Sequence, residues 1–254
     1  MRNKKNKSKK YKKAILNLVI YIMLLSILLY SGIKIYKWYK DNTNNNEITE
    51  QIKETVKIED KDENKKEYTI DFSKLKEQNS DTVAWIKVNN TNIEYPVVKA
   101  QNNDFYLKHS FDKSNNSTGW IFADYRNKFD GTDKNIIIYG HNRKDGSMFG
   151  SLKDALKPEW YDNEENRDIV YITENDKCIY RVFSVYQIEK EDYYIQTSFN
   201  NTEYNKFIET IKNRSIKNFN EEVTAEDQIL TLSTCANNNK YRVVVHAKKI
   251  LSEE

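Results

Sequence analysis

Eight short runs of β-branched and aromatic residues, separated by polar turns, constrain this fold more than any other feature of the sequence. The runs cover residues 83–88, 92–98, 120–123, 135–139, 169–173, 178–187, 228–234 and 241–251. Many short strands with little helix between most of them are typical of a β-sandwich or a closed barrel. We therefore predict a mainly β domain.

Two helical segments interrupt these strands. Residues 147–157 follow a glycine turn and precede Pro158, which predicts a helix that ends there. Residues 202–214 carry apolar side chains at the i, i+3, i+4, i+7 spacing of a core-facing stripe. The stripe consists of Tyr204, Phe207, Ile208 and Ile211. We interpret it as packing against the core, not as a cofactor site.

The N-terminus predicts a membrane anchor. Residues 1–13 carry eight Lys or Arg and no acid, and residues 14–33 contain no charged side chain. A helix of that length spans ~30 Å, which matches a bilayer core. Because basic flanks stay inside, we expect residues 1–13 to be a cytoplasmic tail and residues 14–33 a signal anchor, with the rest extracellular. A cleaved signal peptide is the alternative, but lysines follow the apolar run instead of a small-residue cleavage site.

The segment after the anchor has the composition of a linker. Residues 41–66 are mostly Asn, Glu, Lys and Asp, with isolated Ile or Val. Such a segment buries too little apolar area to offset its ordering entropy. We expect an extracellular stalk over residues 34–67, in which a frayed helix is possible, and a folded domain over residues 68–254. That domain should open with a short helix capped by Asp71 or Ser73.

Charge and cysteine content narrow the function. Residues 41–254 hold 30 Lys and Arg against 38 acids, a net of −8, which argues against nucleic acid as a partner. Two cysteines are too few for a disulfide scaffold, and Cys178 lies in a strand pattern typical of a small buried residue. No metal-type Cys/His cluster and no glycine-rich phosphate loop occurs, so we expect neither metal nor cofactor.

The other cysteine suggests a reaction centre. Cys235 ends an apolar strand, and Arg242 stands at the start of the next one. Because a short loop joins these strands, a thiolate nucleophile and a guanidinium would lie at the same end of a hairpin. This arrangement predicts nucleophilic catalysis at Cys235.

Three histidines are candidates for its catalytic base. His246 is four residues beyond Arg242 on the same strand, which places it ~13 Å away at ~3.3 Å per residue and favours a structural role. His109 belongs to a polar connection with no strand end to fix it. His141 follows Gly140 at the end of a strand and leads into a turn-rich loop. A rigid strand beside a flexible loop suits a catalytic group, so His141 is favoured.

These residues together resemble a known family. Residues 231–235 followed by Arg242, with Tyr139-Gly140-His141 upstream and an N-terminal anchor, are similar to the sortases, membrane-bound transpeptidases of Gram-positive bacteria. Further stretches resemble class B members: residues 92–98, 103–107, 121–127 and 147–152. The likeness covers residues 70–250. It implies an eight-stranded β-barrel with N-terminal helices and a helix before the cysteine strand, where residues 202–214 fit.

The resemblance also implies a reaction of the thiol-peptidase type. Cys235 would attack the carbonyl of a threonine in the C-terminal sorting signal of a secreted protein and form a thioester. An amine of the cell wall, or a pilin lysine, would then release the protein as a new amide. His141 would act as acid and base, and Arg242 would hold the substrate and stabilise the oxyanion. Some class B members have an acid where this chain has Asn237, so a triad with that acid is not supported.

Five more residues are candidates for a sorting-signal groove by the same resemblance. They are Ser233, Asn103, Leu107, Tyr194 and Ile195. Core packing is the alternative for Leu107 and Ile195, and a surface aromatic role for Tyr194. Class B members often prefer Asn-Pro-x-Thr signals, although relatives accept other motifs. Two other functions stay open from the residues alone: an anchored cysteine hydrolase, and a non-catalytic surface-binding domain in which Cys235 is merely buried.

Overall fold

The computed structural model describes the backbone of residues 2–62, 65–235 and 240–253, and the side chains of residues 10–57, 68–234 and 240–250. Helix α1 is Arg2–Lys53, and the chain divides into two compact units, residues 1–44 and 45–254. In the first unit the large apolar side chains from Ile15 to Tyr39 are exposed. Over the described residues, α1 is the one helix long and apolar enough to cross a membrane.

The second unit begins earlier than the composition suggested. It opens with the last turns of α1, where Ile48 and Ile52 are buried in the main core. Strands β1 (Val56–Asp62) and β2 (Lys65–Ile70) then form an antiparallel pair. The sequence predicts a stalk over residues 34–67 in which a frayed helix is possible; in the structure, residues 45–53 and the β1–β2 pair belong to the second unit. The few isoleucines in this part of the chain give no local signal, but they pack against residues that are distant in sequence.

Eight strands close a barrel, as expected. They are β3 (Thr82–Val88), β4 (Glu94–Val98), β5 (Phe122–Ala123), β6 (Asn135–His141), β7 (Asp168–Ile172), β8 (Lys177–Glu189), β9 (Ile229–Cys235) and β10 (Tyr241–Glu253). Their order around the barrel is β10-β8-β7-β3-β4-β5-β6-β9. The mainly β, eight-stranded architecture is therefore confirmed. Each strand coincides with one of the eight runs identified in the sequence.

Helices flank the barrel. Helix α2 (Phe72–Gln78) is capped by the Asp71 side chain, and α4 (Asn201–Asn213), which precedes the cysteine strand, buries its apolar stripe as expected. The helix predicted over residues 147–157 is wrong, because the chain there makes turns and a 3₁₀ segment, Leu152–Leu156. Met148 has a φ of 52°, which an α-helix does not allow. The proline starts the next helix, α3 (Pro158–Tyr161), because proline suits a first helical turn.

The strand directions define two ends of the barrel. β6 and β9 run parallel, with His141 opposite Cys235, and β10 returns antiparallel to β9. The ends of β6 and β9 and the start of β10 therefore share one edge, which we call the site mouth. The opposite edge, where β6 and β9 begin and β10 ends, is the far mouth. The three residues predicted to be catalytic, His141, Cys235 and Arg242, lie at the site mouth.

Candidate active site

His141 is held at the site mouth in one tautomer. It is only 6% exposed, and its Nε2 lies 2.8 Å from the Leu107 carbonyl oxygen. A carbonyl oxygen can only accept, so Nε2 carries the proton and Nδ1 is the bare acceptor. Nδ1 is buried, and no described group bonds it. The imidazole thus has one nitrogen fixed by backbone and one available for proton transfer.

A glycine, Gly119, lies close to this imidazole. Gly119 has a φ of 64°, and a Cβ there would lie 2.7 Å from His141 Cδ2 and 2.7 Å from the Tyr106 carbonyl oxygen. Its own carbonyl accepts a bond of 3.1 Å from Asn45 Nδ2, and Asn45 Oδ1 accepts from Asn116 at 2.8 Å. Only glycine leaves the ring its present place. No sequence pattern indicated this support, because it depends on contacts between distant segments.

The electrostatic surroundings keep His141 neutral. Burial lowers its pKa, and the nearby Arg143 lowers it further, while the bond to Leu107 raises it; the net shift is downward. Arg143 also pairs with Asp145 at 3.0 Å. Burial alone would raise the Asp145 pKa, but the bonds from Arg143 and Ser147 outweigh it and lower that pKa to about 2. Neutral imidazole is the form that can accept a proton from a thiol.

Cys235 is the last residue of β9. Its backbone pairs with His141 in the parallel ladder between β6 and β9. Its side chain lies outside the described part of the chain, as do residues 236–239. The interpretation of Asn237 as a replaced acid therefore stays a prediction. At the level of the backbone, the nucleophile and base expected from the sequence lie on adjacent strand ends.

Arg242 stands on the other side of the cysteine strand. It is the second residue of β10, is 8% exposed, and donates from Nη1 to the Tyr241 carbonyl oxygen at 3.3 Å. The antiparallel ladder joins Val244 to Ser233. Continued by two residues towards the site mouth, the same register leads from Arg242 to Cys235. The cysteine strand is thus flanked by the histidine strand and the arginine strand.

Two of the five groove candidates contact each other. The hydroxyls of Tyr194 and Ser233 are 3.1 Å apart, and both residues are buried. Ser233 lies two residues before Cys235 on β9. Tyr194 belongs to a 3₁₀ turn, Tyr193–Ile195, after β8. The hydrogen bond therefore ties this turn to the cysteine strand.

Two further groove candidates, Asn103 and Ile195, are linked by an ion pair that the sequence did not single out. Asn103 Nδ2 donates to Asp124 Oδ2 at 3.0 Å, and Arg126 pairs with the same carboxylate at 2.7 Å. Arg126 also donates to the Ile195 carbonyl oxygen at 2.8 Å. Burial alone would raise the pKa of Asp124, but the Arg126 hydrogen bonds outweigh it and the pKa is lowered. Leu107, partly buried, accepts a hydrogen bond from His141 through its carbonyl oxygen.

The two remaining histidines have other surroundings. His246 is fully buried, its Nδ1 and Nε2 both have partners at 2.8 Å, and burial lowers its pKa to about 3. His109 stacks on Phe105, with ring centroids 4.0 Å apart, and its Nδ1 lies 2.7 Å from the Phe105 carbonyl oxygen. The surroundings of His246 fit the structural role expected for it.

The far mouth contains a cavity of about 620 Å³ that includes Cys178 and none of the three catalytic candidates. The Cys178 thiol donates to Asp176 Oδ2 at 3.0 Å, and burial raises its pKa to about 11. A protonated thiol beside a carboxylate is a poor nucleophile. Among the described residues there is also no cluster of side chains that could hold a metal ion. Despite its size, this cavity lacks the groups that acyl transfer needs.

Comparison with known proteins identifies the family. The sortase domain profile matches residues 86–250. The chain belongs to the sortase family. Sortase B of Listeria monocytogenes is 32% identical over 243 residues, covering 94% of this chain and 98% of the relative. Sortase B of Staphylococcus aureus is 32% identical over 236 residues, covering 91% and 96%. These relatives place the chain in class B, and they support a cysteine transpeptidase.

Solved structures agree with this assignment. A sortase B–substrate complex from Staphylococcus aureus superposes with a TM-score of 0.67 at 37% identity, covering 70% of this chain and 84% of that one. A Bacillus anthracis protein described as similar to sortase B gives a TM-score of 0.72 at 38% identity, covering 85% and 98%. The class B sortase fold expected from the motifs is therefore confirmed.

Proposed function

We propose that the protein is a membrane-anchored sortase that cleaves a C-terminal sorting signal after threonine and joins the protein to an amine. The observation that carries the proposal is the His141 imidazole, with its bare Nδ1, on the strand end beside Cys235. The substrate complex of the Staphylococcus aureus relative supports a sorting-signal partner. A further sortase B structure contains triglycine, a peptide that presents a free amine.

In the first half-reaction the Cys235 sulfur attacks the threonine carbonyl while His141 Nδ1 takes the thiol proton. The tetrahedral intermediate collapses, the peptide C–N bond breaks, and the same proton passes from His141 to the leaving amine. A thioester remains on Cys235. Because burial disfavours the imidazolium, His141 holds this proton only briefly and returns to its neutral form.

In the second half-reaction an amine attacks the thioester carbonyl, and His141 removes the amine proton. The thiolate leaves and takes that proton, and a new amide joins the protein to its acceptor. Arg242 cannot act as a base, since a guanidinium stays charged. Its role is to hold the substrate and stabilise the oxyanion that forms in both halves.

The substrate groove is assigned to the two segments bridged by Asp124 and Arg126. Asn103 and Leu107 would line one side, and Tyr194 and Ile195 the other. Ser233, bonded to Tyr194, joins the second side to the cysteine strand. A peptide seated between them would present its threonine carbonyl at the site mouth.

The N-terminal unit is assigned to the membrane. The exposed apolar side chains of α1 fit a lipid-facing span over residues 14–33, and the basic residues 1–13 fit a cytoplasmic tail. Residues 34–44 would connect the span to the catalytic unit on the outer surface of a Gram-positive cell. The acceptor is then a peptidoglycan amine or a pilin lysine, and the product is an anchored surface protein.

The test uses the full chain in detergent with peptides carrying Asn-Pro-x-Thr signals and triglycine as the amine. We expect an amide between threonine and triglycine, and a thioester on Cys235 by mass spectrometry. Cys235→Ala should form neither, and His141→Ala should reduce turnover by ~10²–10⁴. Cys178→Ala and His109→Ala are the matched controls and should stay within about threefold.

Three outcomes would contradict the proposal. Cleavage by Cys235→Ala would remove the nucleophile. Free acid as the sole product at saturating triglycine would indicate a hydrolase. Absence of the thioester from the wild-type protein, with every class of signal peptide, would indicate a binding domain.

A further inference from the structure

The buried His246 stands in the middle of a hydrogen-bond chain through the barrel wall. On one side, the Tyr193 hydroxyl donates to the Tyr186 hydroxyl at 3.1 Å, and Tyr186 lies 2.8 Å from His246 Nε2. On the other, His246 Nδ1 lies 2.8 Å from the Thr231 hydroxyl, which donates to Asn135 Oδ1 at 2.6 Å. The chain thus connects β8, β10, β9 and β6.

The direction of every bond in this chain is determined. The single Thr231 hydroxyl proton is used on Asn135, so His246 Nδ1 must donate to Thr231. His246 Nε2 is then an acceptor and receives the Tyr186 proton, and the Tyr186 oxygen accepts from Tyr193. A neutral imidazole with Nδ1–H satisfies every member of the chain, and no other side chain offers a donor and an acceptor at this spacing on one ring.

Both ends of the chain reach the same surface segment, residues 193–196. Tyr193 supplies one end, and at the other Asn135 Nδ2 donates to the Gln196 carbonyl oxygen at 2.9 Å. Between these two points lie Tyr194 and Ile195, which are candidates for the substrate groove. The hydrogen-bond chain therefore starts at residues 193–196, crosses the barrel wall through His246, and ends at the same segment.

We propose that His246 is a positioning residue that fixes residues 193–196 as one side of the substrate groove. The inference rests on the proposed function and deepens it. His246 sets the affinity for the peptide and not the rate of acyl transfer, because it acts through the segment and lies ~13 Å along β10 from Arg242. Interrupting the hydrogen-bond chain leaves buried donors and acceptors unpaired, which favours movement of residues 193–196.

Two variants interrupt the hydrogen-bond chain at different places. His246→Phe keeps a ring that can pack beside Phe183 and Phe207 but removes both nitrogen contacts. Tyr193→Phe removes only the outermost hydroxyl and keeps the ring under Arg214, whose guanidinium is 5.0 Å from its centroid. Tyr193 is half-buried, so this variant should fold even if the first does not. Tyr204→Phe is the control, since its buried hydroxyl bonds Lys134 and Asp227 outside the chain.

The readouts are peptide kinetics on the full chain in detergent and hydrogen exchange of the amides of residues 193–196 without peptide. We expect both chain variants to raise KM about tenfold, the loss of roughly one buried hydrogen bond, with kcat within about twofold. Exchange should accelerate in residues 193–196 and not in β9. Tyr204→Phe should leave KM and that exchange unchanged.

A fall in kcat at constant KM, or normal exchange in both chain variants, would overturn the inference. So would the same rise in KM in Tyr204→Phe. Hydrogen exchange needs no turnover. A wild-type protein that processes no peptide would therefore count against the proposed function, and unaltered exchange would count against the role of His246.

Discussion

The two mouths of the barrel are built from the same eight strands, but their polar groups are paired in opposite ways. At the site mouth, a buried imidazole has one nitrogen fixed by the Leu107 carbonyl and one that no described group bonds. At the far mouth, the Cys178 thiol donates to Asp176, which Lys249 also pairs at 2.6 Å. The far mouth has the cavity and a cysteine, yet its thiol is held protonated. The reactivity of a cysteine thiol depends on the charges of the neighbouring side chains, and a large cavity alone does not activate it.

Replacing an arginine at the site mouth and one on the barrel wall gives the largest expected difference. Arg242→Ala should lower kcat/KM by ~10²–10³, because a cationic oxyanion donor is lost. Arg181→Ala breaks the pair with Asp168 on the barrel wall and should change kcat/KM by less than about threefold. Steady-state kinetics with the signal peptide and triglycine measure both. Near-normal turnover in Arg242→Ala would remove the functional contrast between the mouths.

Alkylation compares the two cysteines directly. Iodoacetamide at pH 7.5 should label Cys178 at least ~100-fold more slowly than Cys235, because the reactive form is the thiolate and burial raises the Cys178 pKa to about 11. Peptide mass spectrometry of a time course gives both rates in one sample. Equal rates would mean that the site mouth does not activate its thiol.

Substitutions at two glycines with positive φ distinguish a steric effect on the His141 ring from the effect of backbone strain. Gly119→Ala places a Cβ 2.7 Å from the His141 ring, whereas Gly131, beside the far-mouth cavity, has a φ of 84° and open space around it. Both substitutions strain the backbone by ~1 kcal/mol, but only the first displaces the imidazole. We expect Gly119→Ala to lose at least about tenfold in kcat and Gly131→Ala less than about twofold. Equal losses would show that strain alone matters.

The two mouths should also lose stability at opposite ends of the pH scale. His141 has a lowered pKa, so below about pH 6.5 the unfolded chain binds a proton that the folded one does not, and the free energy of unfolding falls as the pH drops. Cys178 has a raised pKa, so stability is complete below about pH 9 and is lost as the pH rises towards 11. One group that titrates fully changes the free energy of unfolding by at most ~1.4 kcal/mol per pH unit.

Urea unfolding across this range measures both slopes. His141→Gln should reduce the acid slope, leaving the part due to His246 and to carboxylates such as Asp145. Cys178→Ala should reduce the alkaline slope, leaving the part due to buried tyrosines such as Tyr180. An unchanged alkaline slope in Cys178→Ala would mean that the far-mouth thiol does not titrate with unfolding.

The sequence was most informative where a residue's role depends on its own strand. All eight barrel strands and helix α4 followed from apolar patterning, and His141 and Arg242 stood out because each lies near a strand end. Residues 45–53 were missed because their burial depends on segments far away in the chain. The 3₁₀ turn at Leu152–Leu156 was predicted as a helix because its turn geometry leaves little trace in composition.

The parts of the site that escaped prediction are mostly backbone groups and long-range pairs. Leu107 and Gly119 support the His141 ring through main-chain atoms and not through a side chain. The Asp124–Arg126 pair looks like an ordinary surface ion pair until its bonds to Asn103 and Ile195 are seen. Such contacts become visible only when the fold has placed distant segments together.

The parallel ladder between β6 and β9 also has a kinetic meaning. It aligns Asn135–His141 with Ile229–Cys235 residue by residue, although roughly a hundred positions separate them in the chain. Parallel pairing over such a distance gains nothing until a large loop has closed, so it belongs to the slow steps of folding. If the chain is exported from its N-terminus, β6 emerges long before its partner. His141 then emerges before Cys235, and under the proposed mechanism a partly exported chain cannot begin acyl transfer.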